Sequence, residues 1–229
     1  MIVRHKRPAV AMIELIFAIV IMGIVMMGAP MLISSAAQSV SVALQQEGIN
    51  EGSSRVSMIM THAWDEQNTN DSCTPSVLLT TAGDLELGNT GDHRRIGVPV
   101  DSNSRTFLCG TTELNASTAL GSEAGDRDDL DDFGNTSLTL DTTGTGGKNY
   151  IETATVSLAT TVSYILDAAN YNSATITYTP GGTPGGTTSI KNIDVNVTST
   201  SGTSELEKTI IFRAFSCNIG GYEFESRVF

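Results

Sequence analysis

Apolar side chains are concentrated in one uninterrupted stretch near the N-terminus. Residues 10–33 form a run of 24 residues whose only charged side chain is Glu14. A helix of that length is about 36 Å long, which exceeds the ~30 Å hydrocarbon core of a bilayer. The pattern therefore predicts a helix that spans a membrane over residues 10–33.

The helical pattern continues beyond this stretch in weaker form. Residues 34–63 carry apolar side chains at roughly helical spacing, with polar residues on the other face. We therefore predict one long helix over residues 10–63, whose second half lies on a sheet. An alternative interpretation is a membrane helix, a joint near residues 48–54 marked by Gly48 and Gly52, and a second helix.

After Trp64 the spacing changes from helical to alternating, which predicts a β-rich globular domain over residues 64–229. The clearest strand is 154–166, where apolar side chains alternate with Thr and Ser. The other predicted strands and short apolar runs are 77–81, 96–100, 106–109, 175–179, 190–198 and 206–215. Residues 154–215 then form an antiparallel meander, and a long helix packed on an antiparallel sheet defines an α+β fold.

Charge is distributed unevenly along the chain. The formal net charge is −12, yet residues 1–9 carry three basic and no acidic side chains. Residues 61–135 hold fourteen acidic residues against four arginines. The basic leader should stay cytoplasmic, so the bulk of the chain should cross the membrane. The acidic balance argues against a nucleic-acid partner, because binding to phosphates needs cations.

Glu14 is the anomaly of the apolar stretch. A carboxylate at the centre of a bilayer costs about 2.5–3.5 kcal/mol on insertion scales, and such residues are functional by default. No basic residue follows Glu14 until Arg55. Its partner is therefore expected outside the helix.

These residues carry a family resemblance. The segment Lys6-Arg7-Pro8-Ala9-Val10-Ala11-Met12-Ile13-Glu14-Leu15-Ile16 resembles the leader and N-terminus of type IV pilins and type II secretion pseudopilins. The resemblance implies that residues 1–9 are a leader, that prepilin peptidase cuts between Ala9 and Val10, and that Val10 is then methylated. Ala9 and Val10 stand where the family usually has Gly and then Phe or Met. Glu14 becomes the fifth residue of the mature chain, as in the family.

The resemblance also implies a place and a function. The chain would be a structural subunit, not an enzyme, with a pilin-like fold. It would sit in the inner membrane with one span and a periplasmic C-terminal domain. It would then join a filament in the periplasm or on the cell surface. Its partners would be prepilin peptidase, the inner-membrane assembly platform and other subunits, whose N-terminal amines would pair with Glu14.

Two alternatives stay open at this point. One is a pseudopilin of a type II secretion or DNA-uptake machine, which is close in function. The other is a single-span membrane-anchored binding protein or enzyme. No nucleophile–base pair, phosphate-binding glycine loop or histidine cluster in the sequence favours an enzyme.

A short acidic run, residues 125–134, is the main candidate for a ligand site. It contains five aspartates: Asp126, Asp128, Asp129, Asp131 and Asp132. Such a loop suits calcium, which prefers carboxylate and carbonyl oxygens, although the spacing is not that of an EF-hand. The alternative is a solvated turn with Leu130 and Phe133 directed inward. The run also resembles a segment of D-type minor prepilins of the mannose-sensitive haemagglutinin (MSHA) pilus group, which implies a minor pilin.

Three cysteines follow the apolar stretch, which would place them in an oxidising compartment. We predict a disulfide between Cys73 and Cys109, with Cys109–Cys217 as the rival pairing. No cofactor is required by any motif, and calcium is the only candidate ion.

Overall fold

A computed structural model describes residues 8–69, 77–88, 91–96, 105–123, 125–141, 155–167, 169–170, 173–177, 179, 181–200 and 208–220. Residues 1–7 of the predicted leader lie outside these ranges. The chain divides into two compact units, Met1–Glu47 and Gly48–Phe229. The long N-terminal helix and the antiparallel sheets give the α+β class that the sequence predicts.

Helix α1 runs without interruption from Pro8 to Ile59. It begins two residues before the predicted start and ends four residues before the predicted end. Residues 48–54 are helical throughout, so the predicted alternative of a joint there is wrong. The first part of α1 is long and apolar enough to cross a membrane.

Six strands lie in the described part of the second unit. Strands β1 (Leu108–Cys109) and β2 (Thr112–Glu113) form a short antiparallel hairpin. The main sheet has the order β3–β4–β5–β6, and all its neighbours are antiparallel. Its strands are β3 (Thr136–Asp141), β4 (Thr155–Tyr164), β5 (Ile190–Thr200) and β6 (Thr209–Cys217).

The meander is confirmed, with two corrections. Strand β3 was not predicted. The predicted strand at 175–179 is wrong, because its described residues 175–177 form a bend and coil. Strand β4 pairs directly with β5 along its whole length, from Thr155 opposite Thr200 to Tyr164 opposite Lys191. No strand therefore lies between β4 and β5 in the sheet, and Ile176 of the connecting segment is 53% exposed.

The core of the second unit lies between the sheet and the end of α1. Alternating residues of β4 and β5 point inward, as the period of two requires. The main cluster of buried apolar side chains comprises Ile59, Leu130, Phe133, Val156, Leu158, Val162, Ile193, Val195 and Val197. The inward placement of Leu130 and Phe133 agrees with the sequence analysis.

Two glycines of α1 mark its close approach to the sheet. A Cβ atom built on Gly48 would lie 3.0 Å from Cγ1 of Val197. One built on Gly52 would lie 2.5 Å from Cε2 of Phe212 and 2.9 Å from Cγ2 of Val197. These residues therefore make room for β5 and β6 beneath the helix.

The contact at Gly52 gives a stability prediction. Gly52→Ala is expected to lower the free energy of unfolding by up to about 2 kcal/mol. The added methyl group overpacks the core at a cost of about 1–3 kcal/mol, and the helix preference of alanine offsets about 1 kcal/mol of it. Thermal unfolding of the full chain in detergent measures the change. The control is Gly23→Ala, where an added Cβ meets nothing within 4 Å. Equal melting temperatures for the two variants would contradict a tight contact at Gly52.

Candidate functional site

The apolar part of α1 has no covering layer in the structure. Every side chain from Met12 to Ser39 is exposed, including Glu14. The backbones of Ala9 and Val10 are helical, but their side chains lie outside the described part. Within the part of the chain that the structure describes, both the apolar stretch and the Glu14 side chain are therefore exposed.

The acidic run is divided by the fold into inward and outward aspartates. Asp129, Asp131 and Asp132 are at most 1% exposed, whereas Asp126 and Asp128 are exposed. The backbone N–H of Leu130 donates to the carbonyl oxygen of Ala63 over 2.9 Å, which fastens the run to the segment after α1. The fold thus places three of the five aspartates inside and two outside, and the calcium site of the acidic run stays a prediction.

The inward carboxylates surround a buried lysine. The Nζ atom of Lys191 on β5 donates to Oδ1 of Asp131, to Oδ2 of Asp65 at 2.9 Å and to the carbonyl oxygen of Trp64 at 2.8 Å. The side chains of Lys191 and Asp65 are fully buried, and that of Asp131 is 1% exposed. All three ammonium protons therefore have an acceptor.

Aromatic rings and backbone groups complete this lysine cluster. The ring centroids of Trp64 and Tyr164 lie 4.5 and 5.5 Å from Nζ of Lys191, which suits cation–π attraction. Asp65 also accepts from the backbone N–H and the hydroxyl of Ser117. The hydrogen bonds of Lys191 and Asp65 thus join the segment after α1 to the sheet.

Asp129 lies beside this network and differs from its neighbours. Its Oδ1 atom accepts the backbone N–H groups of Asp131 and Asp132 at 2.8 and 3.1 Å, which caps the short helical turn Asp131–Phe133. Burial and the nearby Asp131 carboxylate raise the pKa of Asp129 to about 7, against the opposing attraction of Lys191. Asp129 therefore serves the loop as a backbone cap.

The two exposed aspartates, Asp126 and Asp128, lie close to the buried Asp132. We call these three residues the outer cluster. Each can place a carboxylate oxygen within 4.8 Å of the other two. The Oδ2 atom of Asp132 accepts the N–H groups of Asp128 and Asp129 at 2.9 and 3.1 Å. Its Oδ1 atom is buried and has no hydrogen-bond partner within the described ranges.

Two glutamates border the outer cluster. Burial raises the pKa of Glu66, and the carboxylates of Asp128, Asp126 and Glu123 raise it further. Burial likewise raises the pKa of Glu123, with contributions from Asp131, Asp132 and Asp126. The Oε2 atoms of Glu66 and Glu123 are buried without a partner among the described residues. Carboxylates are therefore concentrated at this place.

The cysteines are placed only in part. Cys109 is disulfide-bonded, and Cys217 has a free thiol. The rival pairing of Cys109 with Cys217 is therefore wrong. Cys73 lies outside the described residues, and its pairing with Cys109 stays a prediction.

Sequence reasoning missed Lys191, Asp65, Glu66 and Glu123. The signal for Lys191 in the sequence is the alternation of side chains along β5. Lys191 lies two residues before Ile193 and therefore on the same inward face. A lysine on an apolar face demands a carboxylate partner. No comparable signal marks Glu66 or Glu123, since their proximity to the acidic run arises only in the fold.

Comparison of the chain with protein-family models, with curated protein sequences and with solved structures finds no match.

Proposed function

We propose that this chain is a structural subunit, a minor pilin, of a type IV pilus-like filament. In this proposal residues 1–9 are removed, residues 10–33 first span the inner membrane and then pack in the filament core, and the β-rich domain faces outward. The observation that carries the proposal is the uncovered apolar helix that holds one carboxylate, Glu14.

An uncovered apolar helix alone fits any membrane anchor, so Glu14 decides between the alternatives. A lipid-facing carboxylate is penalised in an ordinary anchor. In a bundle of several copies of the chain, the Glu14 carboxylate can form an ion pair if the neighbouring subunit places a cation beside it. Cleavage before Val10 would create that cation, because an α-amine has a reference pKa of about 8 and is largely protonated at neutral pH.

The pairing also supports a defined register between subunits. A buried carboxylate without a cation is strongly unfavourable, so helices that slide past each other lose the pair. Contacts between apolar helices carry little register information by themselves. A single ion pair at the start of the helix would therefore align each new subunit with its neighbour.

The processing step is the direct test of this proposal. We expect intact-mass spectrometry of the protein from its native host to show a chain that begins at Val10 with one added methyl group. Ala9→Gly should be processed in the same way, because a small residue is kept before the cut. Ala9→Leu should retain the leader.

A mature N-terminus other than Val10 would contradict the proposal that the chain is a filament subunit. An intact leader in the wild-type protein, or a cut after residue 30, favours a plain anchor or a secretory signal. Processing of Ala9→Leu at the same rate as wild type would show that the peptidase does not read this position.

A further inference from the structure

The outer cluster has the dimensions of a cation site. Three carboxylate oxygens, one each from Asp126, Asp128 and Asp132, lie within 4.8 Å of one another. Calcium binds oxygen at about 2.3–2.6 Å, so two ligands of one ion are separated by at most about 5 Å. The existing side-chain placement therefore brings three ligands to one ion without a change of fold.

An independent observation concerns Asp132. Its side chain is 1% exposed, and its Oδ1 atom has no hydrogen-bond donor within the described ranges. Its Oδ2 atom is held by two backbone N–H groups, which fixes the direction of the carboxylate. A buried oxygen without a donor is costly unless something positive satisfies it. Asp132 therefore brings a buried oxygen without a donor into the group of three carboxylates.

Two more carboxylates lie close to the outer cluster. Besides burial, Asp128 and Asp126 raise the pKa of Glu66, and Asp132 and Asp126 raise that of Glu123. Each glutamate has one buried oxygen without a partner in the described part of the chain. Lys191, the buried cation on the other side of the run, already donates all three protons to Asp65, Asp131 and Trp64. It is therefore not available to neutralise the outer cluster.

We propose that Asp126, Asp128 and Asp132 bind one calcium ion, with Glu66 and Glu123 as additional oxygen ligands. The donor set contains only hard oxygens and comes from a loop, which favours Ca²⁺ over a transition metal. Mg²⁺ fits less well, because it demands near-octahedral geometry and gives up its waters reluctantly. The ion would tie the turn Glu66–Asn68 to the acidic run. This inference does not depend on the filament proposal.

Calcium titration of the full chain in detergent tests the site. We expect the chelator-treated protein to gain about 5–10 °C in melting temperature when calcium reaches about 100 times the dissociation constant. A loop site of this kind is expected to have a dissociation constant of about 10⁻⁴–10⁻³ M. Magnesium at equal concentration should give a clearly smaller shift.

Two double variants separate a site from general charge screening. Asp126→Asn with Asp128→Asn removes two exposed ligands and should abolish the calcium shift, while the metal-free melting temperature is kept or slightly raised. Asp92→Asn with Glu47→Gln makes the same charge change at exposed residues outside the cluster and should keep the full shift. Failure of calcium to change the wild-type midpoint, equal shifts in both variants, or an equal effect of magnesium would each overturn the proposal.

Discussion

Replacing Lys191 by methionine is expected to lower the free energy of unfolding by about 3–5 kcal/mol, because removing one partner of a buried ion pair strands the other. Methionine keeps most of the aliphatic volume but loses the ammonium group. The carboxylates of Asp65 and Asp131 then stay buried, at 0% and 1% exposure, without their cation. For a chain of this size the melting temperature should fall by about 6–20 °C.

The pH dependence distinguishes charge from packing. Burial and Asp131 raise the pKa of Asp129 to about 7, while Lys191 lowers it, so in Lys191→Met the pKa of Asp129 rises further above its value in the unfolded chain. The folded variant then holds more protons than the unfolded one, so its stability falls as pH rises. The deficit relative to wild type should therefore be larger near pH 8 than near pH 5.

The matched control is Lys208→Met. Lys208 is exposed just before β6, and its replacement should change stability by no more than about 0.5 kcal/mol. Circular dichroism melts of both variants in detergent give the comparison. If the melting temperatures of Lys191→Met and Lys208→Met agree within experimental error, the buried ammonium group of Lys191 contributes little to stability. A deficit that is constant with pH would assign the effect to packing.

Replacing Glu14 by alanine is expected to leave membrane insertion intact and to reduce incorporation into filaments at least about tenfold, since loss of 1.4 kcal/mol already gives that factor. The reason follows from the proposed pairing with the α-amine of Val10 in a neighbouring subunit. Without Glu14, that amine is buried without a counter-charge during packing. Insertion itself should improve slightly, because a carboxylate in the bilayer is unfavourable.

Fractionation of cells provides the measurement. The amount of Glu14→Ala in the membrane fraction should match wild type, and the amount in sheared filaments should fall. Glu47→Ala removes an exposed carboxylate from the same helix, beyond the apolar stretch. It should be incorporated normally. Equal incorporation of Glu14→Ala and wild type would refute the pairing role.

The strands that the sequence predicts well are those that bury one face. Along β4 the alternation of Val156, Leu158 and Val162 is strong because these side chains enter the core. Strand β3 lacks that signal: it lies at the edge of the sheet, and its Leu138 is 38% exposed. The segment 175–179 shows the opposite error, since β-branched residues alone do not make a strand unless they pack against a core.

The acidic run shows a different limit. Five aspartates in seven residues indicate a cation, but their number does not say which carboxylates face it. That division depends on Lys191, which lies 60 positions after Asp131. It also depends on Asp65, which lies 126 positions before Lys191. Neighbouring residues in the sequence do not reveal such distant pairings. The carboxylates proposed to bind calcium are therefore distinguished from those that bind Lys191 only in the fold.

The Asp65–Lys191 contact also orders events during synthesis. The chain leaves the ribosome from its N-terminus, so Asp65 and the acidic run emerge well before β5. A nascent chain that ends at β4 contains the inward carboxylates but neither the lysine nor the central strand that buries them. Closing the core at that stage would bury uncompensated charge. Stable burial of Asp65 and Asp131 therefore requires β5, which follows them in the last third of the β-rich domain.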